Sequence, residues 1–241
     1  MRFLTPDWPA PPGVRGLTTL RHGGVSLGPY QGFNLGTHVG DHPEAVRENR
    51  RQLVETLGLK AAPAWLDQIH GRAVVEARPG ATSTADGSFS AESQVPCVVL
   101  TADCLPVLFT TRDGSKVAAA HAGWRGLAEG ILDATLNALG TPEVLVWLGP
   151  AISASAFEVG AEVLEVFAAR LPGAEIAFSK TGEDRYHADL YQLARLTLHR
   201  AGVRPELVFG GERCTFHEAD DFFSYRRDRT TGRMATLIWR E

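Results

Sequence analysis

Apolar positions along this chain fall into short β-branched runs, set between glycine-rich turns and a few amphipathic segments. The densest stretch is residues 98–126, VVLTADCLPVLFTTRDGSKVAAAHAGWRG. Residues 96–101 and 105–111 read as two adjacent strands covered on both faces. Asp113-Gly114 is a turn signal, and the apolar run that resumes at 116–120 predicts a hairpin. At ~3.3 Å per residue, that hairpin carries Cys104 and His121 to the same open end. A thiol and an imidazole placed together there suit either a metal site or a nucleophilic pair.

Elsewhere the pattern predicts a helix over 43–57, with Asp41 or His42 as cap, Pro43 in the first turn and Gly58 as terminator. Its apolar stripe is Val46, Leu53, Val54 and Leu57. Strands are predicted at 17–20, 64–69, 73–77, 144–148, 206–209 and 234–239, and helices at 127–139, 161–171 and 190–201. Residues 21–41, 79–94 (around Asp86) and 149–160 read as loops. With no repeat and no linker, the expected organisation is one domain over residues 1–241. Its expected class is α/β (α+β), a mixed-sheet sandwich flanked by helices.

Composition narrows the functional classes. A net charge of −4 argues against general nucleic-acid or anionic-membrane binding. No apolar run reaches the ~18 residues of a membrane span, and the proline-broken N-terminus is no signal peptide. Three cysteines, Cys97, Cys104 and Cys214, fit a reduced, cytoplasmic protein.

Candidate chemistry gathers at strand ends. His70, before Gly71, joins Cys104 and His121 as a third soft or borderline ligand. Two histidines and a cysteine are a ligand set for zinc with one open position. The gaps of 34 and 17 residues form no local finger pattern. A Cys–His nucleophilic dyad is the rival reading, and a buried core thiol with hydrogen-bonded histidines is the plainer one. No lysine lies near Cys104 in sequence, so a buried thiolate there calls for a metal cation. In the glycine-rich 21–41 loop, Arg21 with Gly23, Gly24 and Ser26 has the makings of an anion nest. Nothing there matches a P-loop, because no Walker lysine follows.

TADCLPV at 101–107 with HAGWRG at 121–126 resembles the signatures of the bacterial laccase-domain or polyphenol-oxidase-like family, which is regarded as a family of purine nucleoside phosphorylases. QIHG at 68–71, TLRHGGVS at 19–26, NLGTHVGD at 34–41, GPAISASAFEVG at 149–160 and FFSYRRD at 222–228 match further blocks in order. The resemblance implies a four-layer αββα fold and zinc held by His70, Cys104 and His121. It also implies phosphorolysis of adenosine, guanosine, inosine and methylthioadenosine, together with deamination of adenosine. Copper-dependent phenol oxidation and a link to cell-wall quality control, as a partner protein without turnover, are the alternatives. One block departs from the family pattern: ADGSFSA at 85–91, which weakens any role for Asp86.

The residues allow a choice among these activities. Eight histidines, with no His-x-His and no His-Cys-His, do not build a multicopper cluster, although copper outcompetes zinc at most N/S sites. Deamination suits an open zinc position, but no glutamate adjoins a ligand as it does in cytidine-type deaminases. Asp103 adjoins Cys104, but alternation turns it to the other face. Phosphorolysis needs an arginine or backbone N–H groups for phosphate beneath C1′. Arg21 with Ser26 is the first candidate and Arg125 the second. Asn34 and Gln68 suit ribose hydroxyls, and His38 suits an acid or base. Phe222, Phe223 and Tyr225 either stack a purine or pack the core, with the core preferred.

Overall fold

Two stacked sheets with helices on their outer faces follow from how the apolar runs are buried. The computed structural model describes residues 1–241. A four-stranded sheet places Val14–Thr19 and Cys97–Thr101 on either side of Met234–Arg240, with Phe3–Leu4 at the edge. A six-stranded mixed sheet has Leu105–Thr111 and Val117–Ala122 at its centre. Val144–Leu148 and Val208–Gly210 lie to one side, and Gly87–Ser90 and Val74–Glu76 to the other.

Three apolar layers hold these elements together. Leu53 of the Pro43–Leu57 helix packs with Leu17, Val98, Leu100, Ala235 and Leu237 on the outer face of the smaller sheet. Cys97, Val99 and Ile238 face Leu108, Val117, Ala119 and Trp147 between the sheets. The far face of the larger sheet is covered by the helices Trp124–Glu129, Ile131–Leu139, Ala161–Arg170 and Leu190–Arg200. The order is therefore helix, sheet, sheet, helices, as the αββα expectation requires. No helix is long and apolar enough to cross a membrane.

The structure corrects several expected elements. The strands at 97–101 and 105–111 are neighbours in sequence but lie in different sheets. Residues 102–104 are thus the crossing between sheets, and Cys104 sits at the seam. The expected loop at 79–94 contains strands Thr82–Thr84 and Gly87–Ser90. Its buried residues are small and polar, because Gly87, Ser88 and Ser90 lie against Ala120, Ala119 and Val117 of the next strand. An apolar count misses such a strand. The expected 127–139 helix is two helices, broken at Gly130, whose φ of 95° suits glycine alone. Short strands at Glu158–Gly160, Phe178–Lys180 and Arg185–Ala188 carry too few residues to show a period.

Gly126 shows how tightly the ligand-bearing segments meet. A Cβ there would lie 2.7 Å from the Gly71 carbonyl oxygen. Gly126→Ala gains helix propensity worth ~0.5–1 kcal/mol, but the backbone clash costs about 1–3 kcal/mol and wins. A fall in Tm of about 2–8 °C is expected by calorimetry. An unchanged or raised Tm would show that the 68–71 turn yields freely.

Candidate metal centre

Each candidate ligand is delivered by a different local device. The hairpin pairs Leu105 with Ala122 and Pro106 with His121, so Cys104 and His121 do lie at one end. His70 follows the short strand Trp65–Asp67 in a turn where its own φ is 60°. That unfavourable conformation is held by Asp86, whose carboxylate accepts the backbone N–H groups of Ile69 (3.2 Å), His70 (2.9 Å) and Gly71 (2.7 Å). The same carboxylate lies 2.8 Å from Nδ1 of His121. Nδ1–H donating to Asp86 leaves Nε2 as the free ring nitrogen.

The ligand atoms of His70, Cys104 and His121 lie within 4.8 Å of one another, and Cys104 Sγ is 3.8 Å from His70 Nε2. The rings of His70 and His121 meet edge-on at 4.7 Å. The spread is somewhat wider than the ~4 Å of ligands gathered around one zinc. Gly123 leaves the cradle open, since a Cβ there would sit 3.0 Å from both Cys104 Sγ and His70 Cδ2. These three residues can hold a metal ion, and the structure offers one such group.

Electrostatics prepares the thiol for that role. Burial opposes its ionisation, but His121 and His70 together draw the Cys104 thiol down to about 6. Burial likewise opposes a charge on His121, yet Cys104 and Asp86 hold it up at about 9. For Asp86, the His121 and backbone hydrogen bonds outweigh burial and keep the carboxyl below its ordinary value. Asp86 therefore braces two of the three candidate ligands. Asp86→Asn is expected to weaken metal binding by about 10–100-fold. A competition titration against a chromophoric chelator measures this, and wild-type affinity would remove Asp86 from the site.

A cavity of about 350 Å³ opens above the ligands, bordered also by His38, Gln68, Thr101, Tyr225 and Arg233. Partial burial and the guanidinium groups of Arg233 and Arg50 hold His38 below its ordinary value, so it is neutral near pH 7. Gln68 borders the cavity, but both ends of its amide are committed to the backbone of Leu100, at 2.9 and 2.7 Å.

The remaining expected site residues lie elsewhere. Arg21 and Ser26 line a separate cavity of about 480 Å³ that shares no residue with the metal pocket. Arg21 is turned away by its bond to the Ala219 carbonyl (3.0 Å) and by stacking over Phe223. Ser26 is buried, donating to Asp41 and accepting from Asn49. Arg125 is exposed and lies over its neighbour Trp124, 4.4 Å from the ring centroid. Asn34 is fully buried, bonded to Gly36 and Asp41, and its Oδ1 accepts the backbone N–H of Arg233. It braces the wall rather than facing a ligand.

Sequence reasoning missed Arg233. Its Nη1 donates only to the nearby carbonyls of Thr231 and Gly232, and no carboxylate pairs with it. Burial lowers its affinity for the proton, while Cys104 and Asp103 work the other way. The signal was present, because Gly232-Arg233 immediately precedes an apolar strand, and glycine likewise lies close to the candidate ligands His70 and His121. The aromatic segment divides: Phe222 and Phe223 are fully buried, whereas Tyr225 is half exposed at the cavity.

This fold, with one His–Cys–His group at a seam between two sheets, defines a class that comparison with known proteins names. The chain belongs to the family described as multi-copper polyphenol oxidoreductase laccase, which matches residues 15–241. A purine nucleoside phosphorylase of Pseudomonas aeruginosa is 54% identical over 240 residues, covering 98% of each chain. The Escherichia coli purine nucleoside phosphorylase YfiH is 52% identical, covering 99% of this chain and 98% of its own. A Neisseria meningitidis crystal structure superposes with a TM-score of 0.96 at 55% identity, over the whole of both chains. YlmD from Geobacillus stearothermophilus superposes at 0.95 with 33% identity, covering 100% of this chain and 97% of its own.

Proposed function

We propose that this chain is a zinc-dependent purine nucleoside phosphorylase. The observation that carries the reading is one pocket holding both the His70–Cys104–His121 group and an arginine, Arg233, with no carboxylate partner. Its relatives' names support the same class. A thiolate and two imidazoles suit zinc, which when bound supplies a Lewis acid at an open position. The donors fit: Cys104 is readily ionised, His121 has its tautomer set by Asp86, and Gly123 keeps the space clear.

The residues of the chain then have separable tasks. Arg233 holds phosphate by its guanidinium fork. Tyr225 gives the purine an aromatic face at the cavity mouth. In phosphorolysis a phosphate oxygen bonds to C1′ as the bond from C1′ to N9 breaks, and the purine leaves with a proton. Neutral His38 at the cavity edge accepts a proton from dihydrogen phosphate and passes it to the leaving purine. Adenosine, guanosine, inosine and methylthioadenosine are the proposed substrates, and adenosine deamination is a second reaction of the same pocket. A phenol-oxidising multicopper centre fits less well, because the structure offers only one three-ligand group.

The decisive experiment follows release of free purine from adenosine and inosine by the zinc-loaded protein, with and without phosphate. Ribose 1-phosphate formed in step with the base is expected. Oxidation of phenols without any purine release would overturn the reading.

A further inference from the structure

Asp103 is placed to do more than precede a ligand. It lies in the crossing between sheets with φ of 96°, a conformation rare for a residue with a side chain, and is 8% exposed. Its carboxylate accepts the hydroxyl of Thr215 at 2.7 Å and the backbone N–H of Arg226 at 2.6 Å. Its carbonyl accepts the N–H of Ile152 at 2.9 Å. One residue therefore joins the Cys104 loop to three other segments of chain.

The Arg226 bond is the informative one. Arg226 belongs to the short helix Tyr225–Asp228, where Ser224 caps the next free amide, that of Arg227. Asp103 satisfies an amide of the same helix from outside it, with a charged acceptor. That helix presents Tyr225 to the metal cavity, while the neighbouring residue on the Asp103 side, Cys104, presents its sulfur. A ligand atom and the aromatic wall are thus separated by one residue and one charge-assisted hydrogen bond.

We propose that Asp103 is a positioning residue that couples metal binding at Cys104 to the order of the 214–228 segment, which carries Tyr225 to the cavity. Metal fixes Cys104, which fixes the 102–104 crossing, and the Asp103 carboxylate passes that constraint to Arg226 and Thr215. Linkage is reciprocal, so ordering of that segment also tightens metal binding. The inference rests on the metal reading of the three ligands and not on phosphorolysis.

The test uses zinc or cobalt(II) alone. Asp103→Gly removes the carboxylate while relieving the positive φ, so the crossing keeps its course. Asp103→Asn retains the shape, tolerates the same φ and keeps one acceptor. In the wild type, metal is expected to slow hydrogen exchange of the Arg226 amide about tenfold, within the usual range of such couplings. Asp103→Gly should still bind one metal ion, about tenfold more weakly. In it the metal-induced slowing at 224–228 should be lost, while protection of 68–71 remains. Asp103→Asn should restore most of the effect, a rescue that a mere loss of stability would not show.

Wild-type metal-linked protection of 224–228 in Asp103→Gly would overturn the proposal. So would metal binding to the wild type without any protection there. Should the glycine variant not fold, Thr215→Val cuts one arm of the clamp. Metal-linked protection at 214–217 should then fall, and wild-type protection would again overturn the coupling. Failure of the wild type to bind metal at all would remove the metal reading, and the proposal with it.

Discussion

Cys104→Ser is expected to abolish metal binding and turnover together. A serine hydroxyl is a far poorer zinc ligand than a thiolate. Outer-shell partners are worth about 10–100-fold in metal affinity, so loss of a direct ligand should exceed about 100-fold. A chelator should reproduce the variant's inactivity in the wild type, and added zinc should reverse it. The structure makes this experiment sharper than the sequence does. From sequence, only a metal offers a cation to a buried thiolate at 104. In the fold, His121 supplies one, held up by Asp86, so that Cys104, His121 and Asp86 also have the form of a nucleophile, a base and an orienting carboxylate. His70 tips the balance, because a dyad has no use for a second imidazole 3.8 Å from the sulfur. Full activity in rigorously metal-free protein, with the thiol trapped by an electrophile, would reverse the assignment.

The second large effect is expected at Arg233. Hydrogen bonds to charged groups are worth about 1.5–3 kcal/mol, or roughly 10–150-fold. Arg233→Ala should raise the KM for phosphate by that factor and leave metal content unchanged. Arg233→Lys should recover part of the loss, since it restores the charge without the planar fork. Arg21→Ala should leave phosphate dependence untouched, because its guanidinium is bound to Ala219 and Phe223 beside another cavity. Steady-state kinetics with phosphate varied at saturating nucleoside distinguish the two arginines. A raised KM in Arg21→Ala with wild-type behaviour in Arg233→Ala would move the anion site to the glycine-rich loop. No phosphate dependence in any variant would instead count against phosphorolysis itself.

The ordering of these residues explains why some were legible in the sequence and others were not. Ser26, Asn34 and Gln68 are of the types that bind sugars and phosphates, and their segments carry glycine. Their side chains are nevertheless taken up by the fold: Ser26 by Asp41 and Asn49, Asn34 by Gly36, Asp41 and Arg233, and Gln68 by Leu100. Residue type gives the capacity for a hydrogen bond, and only the three-dimensional neighbours show whether it is already used. Asp86 illustrates the converse. Its block departs from the family pattern, yet its carboxylate holds His121 and three backbone N–H groups.

Local chemistry alone determined the hairpin that brings Cys104 beside His121, because a turn signal and strand rise suffice to place both at one end. It also determined the Pro43–Leu57 helix, through an apolar stripe and a terminating Gly58. The three candidate ligands were readable as soft donors at strand ends, and the fold brings them together. Tertiary structure decided the rest. Whether two consecutive strands share a sheet depends on long-range pairing, and here Cys97–Thr101 pairs with the C-terminal strand while Leu105–Thr111 pairs with its hairpin partner. That divergence is what puts Cys104 at a seam. The placement of a half-buried Arg233 at the pocket without an ion-pair partner, and the reach of Asp103 to Arg226 across more than a hundred residues, likewise arise only when distant segments pack. Hydrophobic periodicity records which face of an element is buried, but not which distant partner covers it.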